Sequence, residues 1–157
     1  MSELTLAFVQ AALNAPVSTQ ADVATRIITD SREAKAGDVF VALVGEQFDG
    51  HDYVADVLAK GVVAVIVSRE VVAGDARQIV VADTLAALGQ VAQTWRLKWN
   101  PKIVALTGSN GKTTVKEMCA AILRTALGDD AVLATAGNFN NEIGMPLTLL
   151  RLQAAHK

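Results

Sequence analysis

Ile103-Val104-Ala105-Leu106-Thr107-Gly108-Ser109-Asn110-Gly111-Lys112-Thr113-Thr114 is the stretch whose order decides how the chain is read. Four apolar residues predict a strand, two glycines three apart a tight turn, and the residues after Lys112 a helix. This is the layout of a phosphate-binding loop. Glycine lets the backbone curl toward phosphate oxygens with no side chain in the way. The first N–H groups of the helix have no intrahelical partner, and the helix dipole favours an anion beside them. Lys112 would bring a mobile positive charge to the outer phosphates of a nucleoside triphosphate, and the Thr113 hydroxyl would bind Mg²⁺. The glycine spacing is the short form, with Leu106 where the longer pattern has its first glycine. The plainer alternative is a strand-to-helix turn that happens to carry a lysine.

Working outward, the segment before this loop reads as alternating short strands and helices. A helix is predicted over 3–13, strands over 26–29, 39–43, 62–67 and 79–81, and a helix over 52–60 stopped by Gly61. The nearly unbroken β-branched run from Val62 to Val67 suits a parallel strand buried on both faces. Asp83 is placed to cap a helix to about Trp99, where Asn100-Pro101 ends it. Trp95 and Trp99, four apart, are read as packing residues. Beyond the phosphate loop, a strand over 131–135, a loop over 136–141 and a helix from Glu142 to about Leu150 are expected. The predicted fold class is therefore α/β: a small α/β domain over 1–83, followed over 84–157 by the start of a P-loop parallel-sheet domain. Two strands and three helices are few for such a sheet, and the chain is expected to be the N-terminal part of a longer protein, with exposed apolar faces that favour self-association.

Composition narrows the function classes. Hydrophobic residues make up 52% and charged residues 19%, enough apolar material for a core. A net charge of −2 gives no electrostatic case for nucleic acid or an anionic membrane. The single cysteine, Cys119, cannot form an internal disulfide and reads as a small apolar residue. No leader and no run of about 18 apolar residues is present, so no membrane insertion and a cytoplasmic location are expected.

Several segments together resemble the Mur ligase family of bacterial cell-wall synthesis. The Thr107–Thr114 loop is similar to that family's ATP loop, short spacing included. Thr29-Asp30-Ser31-Arg32, Gly37-Asp38-Val39-Phe40-Val41-Ala42-Leu43 and Phe48-Asp49-Gly50-His51-Asp52-Tyr53 resemble its UDP-sugar-binding domain. Gly137-Asn138-Phe139-Asn140-Asn141-Glu142-Ile143-Gly144-Met145-Pro146-Leu147 resembles the branch that adds D-alanyl-D-alanine. The resemblance implies an ATP- and Mg²⁺-dependent ligase acting on UDP-N-acetylmuramoyl-tripeptide and D-alanyl-D-alanine, a monomer when full length. The nucleotide-sugar carboxylate would be phosphorylated to an acyl phosphate, because a carboxylate is a poor acylating agent, and the incoming amine would displace phosphate.

The site residues the resemblance implies fall into three groups. Gly108, Ser109, Asn110, Gly111, Lys112, Thr113 and Thr114 would hold ATP, with Lys112 catalytic and Thr113 the Mg²⁺ ligand. Ser31 and Arg32 would hold the uridine diphosphate, with Gly45, Phe48, Gly50 and His51 lining the same site. Asn140, Asn141 and Glu142 would meet the muramoyl-peptide. Each group has a plainer alternative. Ser31-Arg32 also reads as a turn with a surface cation, His51 as a loop histidine that caps or packs, and Asn141-Glu142 as an ordinary helix start. The family's further magnesium glutamate, carbamylated lysine, histidine and third domain have no match here, so no turnover by these 157 residues alone is expected. Two other readings stand beside this one. A folylpolyglutamate-type ligase would explain the ATP loop alone, and a non-catalytic nucleotide-sugar-binding module would need only residues 1–83.

Overall fold

The computed structural model describes residues 4–16, 25–137 and 141–157. The chain packs as two units, Glu3–Val91 and Ala92–Lys157, and the division falls within one helix.

In the first unit the order is α1 (Leu6–Ala12), β1 (Ile27–Ile28), β2 (Val39–Val41), α2 (Val54–Ala59), β3 (Ala64–Val67), β4 (Gln78–Val80) and the start of α3 (Thr84–Trp99). The four strands form one parallel sheet in chain order, with Phe40 opposite Ile28 on one side and Val65 on the other. Ile28, Phe40, Ala42, Val65 and Val67 pack with Val54, Val57 and Leu58 of α2. The alternate strand residues Val39, Val41, Ala64, Ile66 and Ile79 are buried as well, so both faces are covered. This explains the continuous β-branched runs: a parallel strand with helices on both sides has no polar face to show. Strands, helices and the Asp83 cap fall where the sequence places them. The Asp83 carboxylate accepts from the amides of Leu85 and Ala86. The predicted 52–60 helix opens as a 3₁₀ turn over Gly50–Tyr53 before α2 begins.

Side-chain ties close this unit. Thr84 Oγ1 donates to the Ala42 carbonyl at 2.9 Å, seating the start of α3 at the end of β2. Gln90 Nε2 donates to the Ala12 carbonyl at the end of α1. At the opposite end of the strands, the Arg26 guanidinium makes a two-pronged contact with Asp38, at 2.8 and 3.1 Å.

The second unit holds the end of α3, then α4 (Lys112–Leu127) and α5 (Gly144–Leu149). Trp95 is buried, donates its indole N–H to the Leu152 carbonyl and meets Trp99 edge-on with centroids 5.5 Å apart, which is packing geometry. Here the structure corrects two expectations. Residues 103–106 and 131–135 form no strand; a 3₁₀ turn covers Asp129–Ala131 and the rest has no ladder. A strand exists through hydrogen bonds to a neighbour, and among the described residues of this unit none pairs with either segment. Ile103, Val104, Val115, Met118 and Ile122 are correspondingly exposed. Cys119 is half-buried.

Gly50 lies against backbone in the first unit. A Cβ there would lie 2.8 Å from both the amide nitrogen and the carbonyl oxygen of Leu43. Gly50→Ala should therefore destabilise the chain by about 2 kcal/mol, since backbone must move to admit it. Gly89→Ala, inside α3 with open space around its Cβ position, should stabilise by about 1 kcal/mol. Denaturant unfolding of the two variants checks both signs.

Candidate functional site

The phosphate loop is built around one left-handed residue. Gly111 has φ +76 and stands as the N-cap of α4, a conformation that costs any residue with a Cβ. It turns the chain so that α4 begins at once with Lys112. The first α4 bond runs from the Val115 amide to the Gly111 carbonyl, so the amides of Lys112, Thr113 and Thr114 precede the helical ladder. Ser109, Asn110, Gly111, Thr113 and Thr114 are exposed. The Lys112 ammonium donates to the Gly108 carbonyl, folding back over the loop. The donors that an anion needs, amides at a helix start and an ammonium above them, are thus in one place. Thr113 offers a hydroxyl beside them. This set fits a nucleotide phosphate with a hard cation that keeps water and phosphate oxygens as its other ligands.

One turn on, Lys116 Nζ donates to the Thr135 carbonyl at 2.5 Å and pairs with Glu117 at 2.9 Å, fixing the segment after 131 to α4. Asn141 Oδ1 accepts from the Gly144 amide at 2.7 Å, and its carbonyl accepts from Met145. Asn141 therefore holds the turn that leads into α5, whose N-cap is Ile143, and Glu142 is exposed beside it. Asn140 lies outside the described residues.

In the first unit the other predicted residues lie at the C-terminal ends of the parallel strands, the edge at which open α/β sheets take ligands. After β1, the Asp30 carboxylate accepts from the Arg32 amide and from its guanidinium, at 2.9 and 2.6 Å. That closes a 3₁₀ turn in which Ser31 gives its carbonyl to Lys60 Nζ. The Arg32 contact holds the Asp30 carboxyl down at about 2. After β2, Val44 and Asp49 pair as a two-residue antiparallel bridge, and the Gly45 amide donates to the Phe48 carbonyl. A Cβ at Gly45 would fall 2.4 Å from the Phe48 ring, an exposed side chain that would have to swing aside. Phe48 and Tyr53 are both exposed aromatics.

His51 is 1% exposed and has both ring nitrogens engaged. Nδ1 lies 2.6 Å from Asp49 Oδ1, and Nε2 accepts from the Ser68 amide at 2.9 Å. An amide has only a proton to give, so Nε2 carries none and the ring proton sits on Nδ1. Ser68 Oγ is also 3.0 Å from Nε2, completing an Asp–His–Ser line. It is not a nucleophile's base, because the single Nε2 lone pair is already taken by the amide. In this structure His51 acts through its neighbours. Asp49 further accepts from Arg69 Nη2 at 2.8 Å, and Arg69 with the two His51 bonds holds its carboxyl far below the ordinary 3.8.

Sequence reasoning does not single out Asp49, Ser68 and Arg69. Their only signal is position: Ser68-Arg69 directly follows the β-branched run, at the ligand edge of a parallel strand.

Two family models match: Mur ligase family, catalytic domain, over residues 24–96, and Mur ligase middle domain, over 106–157. The UDP-N-acetylmuramoyl-tripeptide–D-alanyl-D-alanine ligase of Haemophilus influenzae is 50% identical over 84% of this chain and 29% of its own length. A crystal structure of MurF from Acinetobacter baumannii superposes with TM-score 0.86 at 41% identity, over 99% of this chain and 34% of that one. MurF ligase from Thermotoga maritima, solved in complex with ADP, gives TM-score 0.73 at 37% identity, over 80% of this chain and 29% of that one. This chain thus spans about a third or less of the length of these relatives.

Asp30 and Asp49 both carry depressed pKa values, so the stability they contribute is complete above about pH 4 and lost as pH falls through their folded values. The thermal midpoint should drop as pH falls below about 4. Asp49→Asn should shallow that drop. An equally steep drop in the variant would show that Asp49 is not part of it.

Proposed function

We propose that this chain, which belongs to the Mur ligase family, carries the nucleotide-sugar-binding and ATP-binding parts of a UDP-N-acetylmuramoyl-tripeptide–D-alanyl-D-alanine ligase of peptidoglycan synthesis. The observation that carries the reading is the coincidence of two things in one chain. One is a loop with Gly111 left-handed ahead of α4 and Lys112 over it; the other is a small parallel sheet whose ligand edge bears Ser31, Arg32, Gly45 and Phe48. The relatives' shared name supplies the substrate.

In this reading residues 1–83 form the nucleotide-sugar domain and 84–157 the first part of the ATP domain. Gly108 through Thr114 cradle the ATP phosphates, and Thr113 meets Mg²⁺. Lys112 leaves the Gly108 carbonyl for a phosphate oxygen, exchanging a neutral acceptor for a charged one, which is the stronger bond. Its charge offsets the negative charge that builds as the phosphoryl group moves to the substrate carboxylate. Asn140, Asn141 and Glu142 are assigned the role of meeting the muramoyl-peptide. Gly50 and His51 shape the nucleotide-sugar loop from within. Among the described residues no helix is long and apolar enough to cross a membrane, and the proposed site of action is the cytoplasm, where ATP and nucleotide sugars are found.

Titration calorimetry tests the assignment. UDP-N-acetylmuramoyl-tripeptide should bind in preference to UDP-glucose. Lys112→Ala should abolish measurable ATP binding while leaving the affinity for the UDP ligand within about twofold, since the two ligands use different side chains. A folded chain that fails to distinguish the two sugars would sink the substrate assignment. Unchanged ATP binding in Lys112→Ala would sink the role of the loop.

A further inference from the structure

Two arginines stand at the ligand edge of the sheet, and they are held in different ways. The Arg32 guanidinium is turned onto the carboxylate of Asp30, two residues away in its own turn. Arg69 is fixed across two loops. Its Nη2 donates to Asp49 Oδ2 at 2.8 Å, from the segment after β3 to the segment after β2. The other oxygen of Asp49 takes the His51 amide at 2.9 Å and the His51 ring at 2.6 Å. His51 in turn receives the amide of Ser68, the residue before Arg69. Residues 49 and 51 thus grip residues 69 and 68, and the ring closes through a histidine that is 1% exposed.

This closed ring uses only one edge of the guanidinium. The donors on Nε and Nη1 of Arg69 have no partner among the described residues, and the side chain is 57% exposed. The carboxylate that holds it is already engaged: three donors share its two oxygens, which spreads its charge and weakens its repulsion of a nearby anion. A guanidinium fixed at one edge and open at the other is suited to a planar, two-pronged contact with phosphate, at little further ordering cost. The same loop carries the exposed Phe48 ring.

We infer that Arg69 binds the diphosphate of the nucleotide-sugar ligand, with Asp49, His51 and Ser68 as positioning residues that set its guanidinium. The inference rests on the nucleotide-sugar reading above and adds to it a cation that Arg32 alone does not supply. It also gives the buried histidine a role, since His51 contributes to anion binding only by way of Arg69.

The probes are UDP and uridine, titrated into the chain and its variants. UDP should bind more tightly than uridine. Arg69→Ala should weaken UDP about tenfold, the loss of a charge-assisted contact, and leave uridine unchanged. Arg69→Ala also removes the contact that most depresses the Asp49 pKa, so a modest fall in the thermal midpoint is expected, and the unchanged uridine affinity separates it from the loss of the diphosphate contact. Arg69→Lys, which restores charge without the fork, should recover part of the loss. His51→Gln can still accept from Ser68 but loses the ring contact to Asp49. It should weaken UDP in the unsubstituted background and add nothing in Arg69→Ala, a coupling that a general structural defect would not show. A UDP preference undiminished in Arg69→Ala overturns this inference and leaves the nucleotide-sugar reading intact. Equal losses from His51→Gln in both backgrounds overturn the positioning role. No UDP binding by the unsubstituted chain overturns both the inference and the reading beneath it.

Discussion

Everything in the first unit follows from burying a parallel sheet on both faces. Phe40 and Val65 pack toward α2, and Val39, Val41 and Ile66 are buried on the other side. Such strands have no polar face, so the middle of the sheet offers no place for ligand chemistry. Polar side chains are confined to the strand ends. One end is spent on structure, where Arg26 and Asp38 lock β1 to β2. The other end holds Asp30, Ser31 and Arg32 after β1, Gly45 to His51 after β2, and Ser68 and Arg69 after β3. The hydrophobic constraint on the core thereby decides where a charged ligand can be met.

Loops at such an edge must be held without a core of their own. The chain does this with close approach and hydrogen bonds. Gly50 admits the backbone of Leu43, which brings the loop after β2 flat against the strand it has just left. His51 then buries a polar ring, allowed because both nitrogens are bonded. A buried histidine here is a structural tie that reaches the ligand edge through Asp49. The phosphate loop solves the same problem differently: Gly111 takes a conformation that brings helix amides to the surface immediately, and Lys112 closes over it.

The second unit shows what a strand needs in order to exist. Ile103 to Leu106 and Val132 to Thr135 have strand composition, yet neither is a strand here. Composition supplies the tendency; the ladder requires a neighbour's N–H and C=O groups at about 4.8 Å. Helices carry their own hydrogen bonds, and α4 forms over its full 16 residues although Val115, Met118 and Ile122 are exposed.

By itself the sequence determined the local grammar. The β-branched runs, the Asp83 cap, the Gly61 stop and the spacing Gly108–Gly111–Lys112 act within a few residues, so their outcome is readable in order along the chain. The plainer alternatives it left open for two of the site groups, a turn at Ser31-Arg32 and a helix start at 141–142, correspond to a 3₁₀ turn over Ser31–Glu33 and to a turn just ahead of α5. Tertiary structure alone decided which strands pair, and therefore that 103–106 and 131–135 do not. It alone decided that His51 faces inward with its proton toward Asp49, and that Arg69, 20 residues from Asp49 in sequence, stands beside it in space. Those partners come from different loops, and only the packing of β2 against β3 brings them within hydrogen-bond reach.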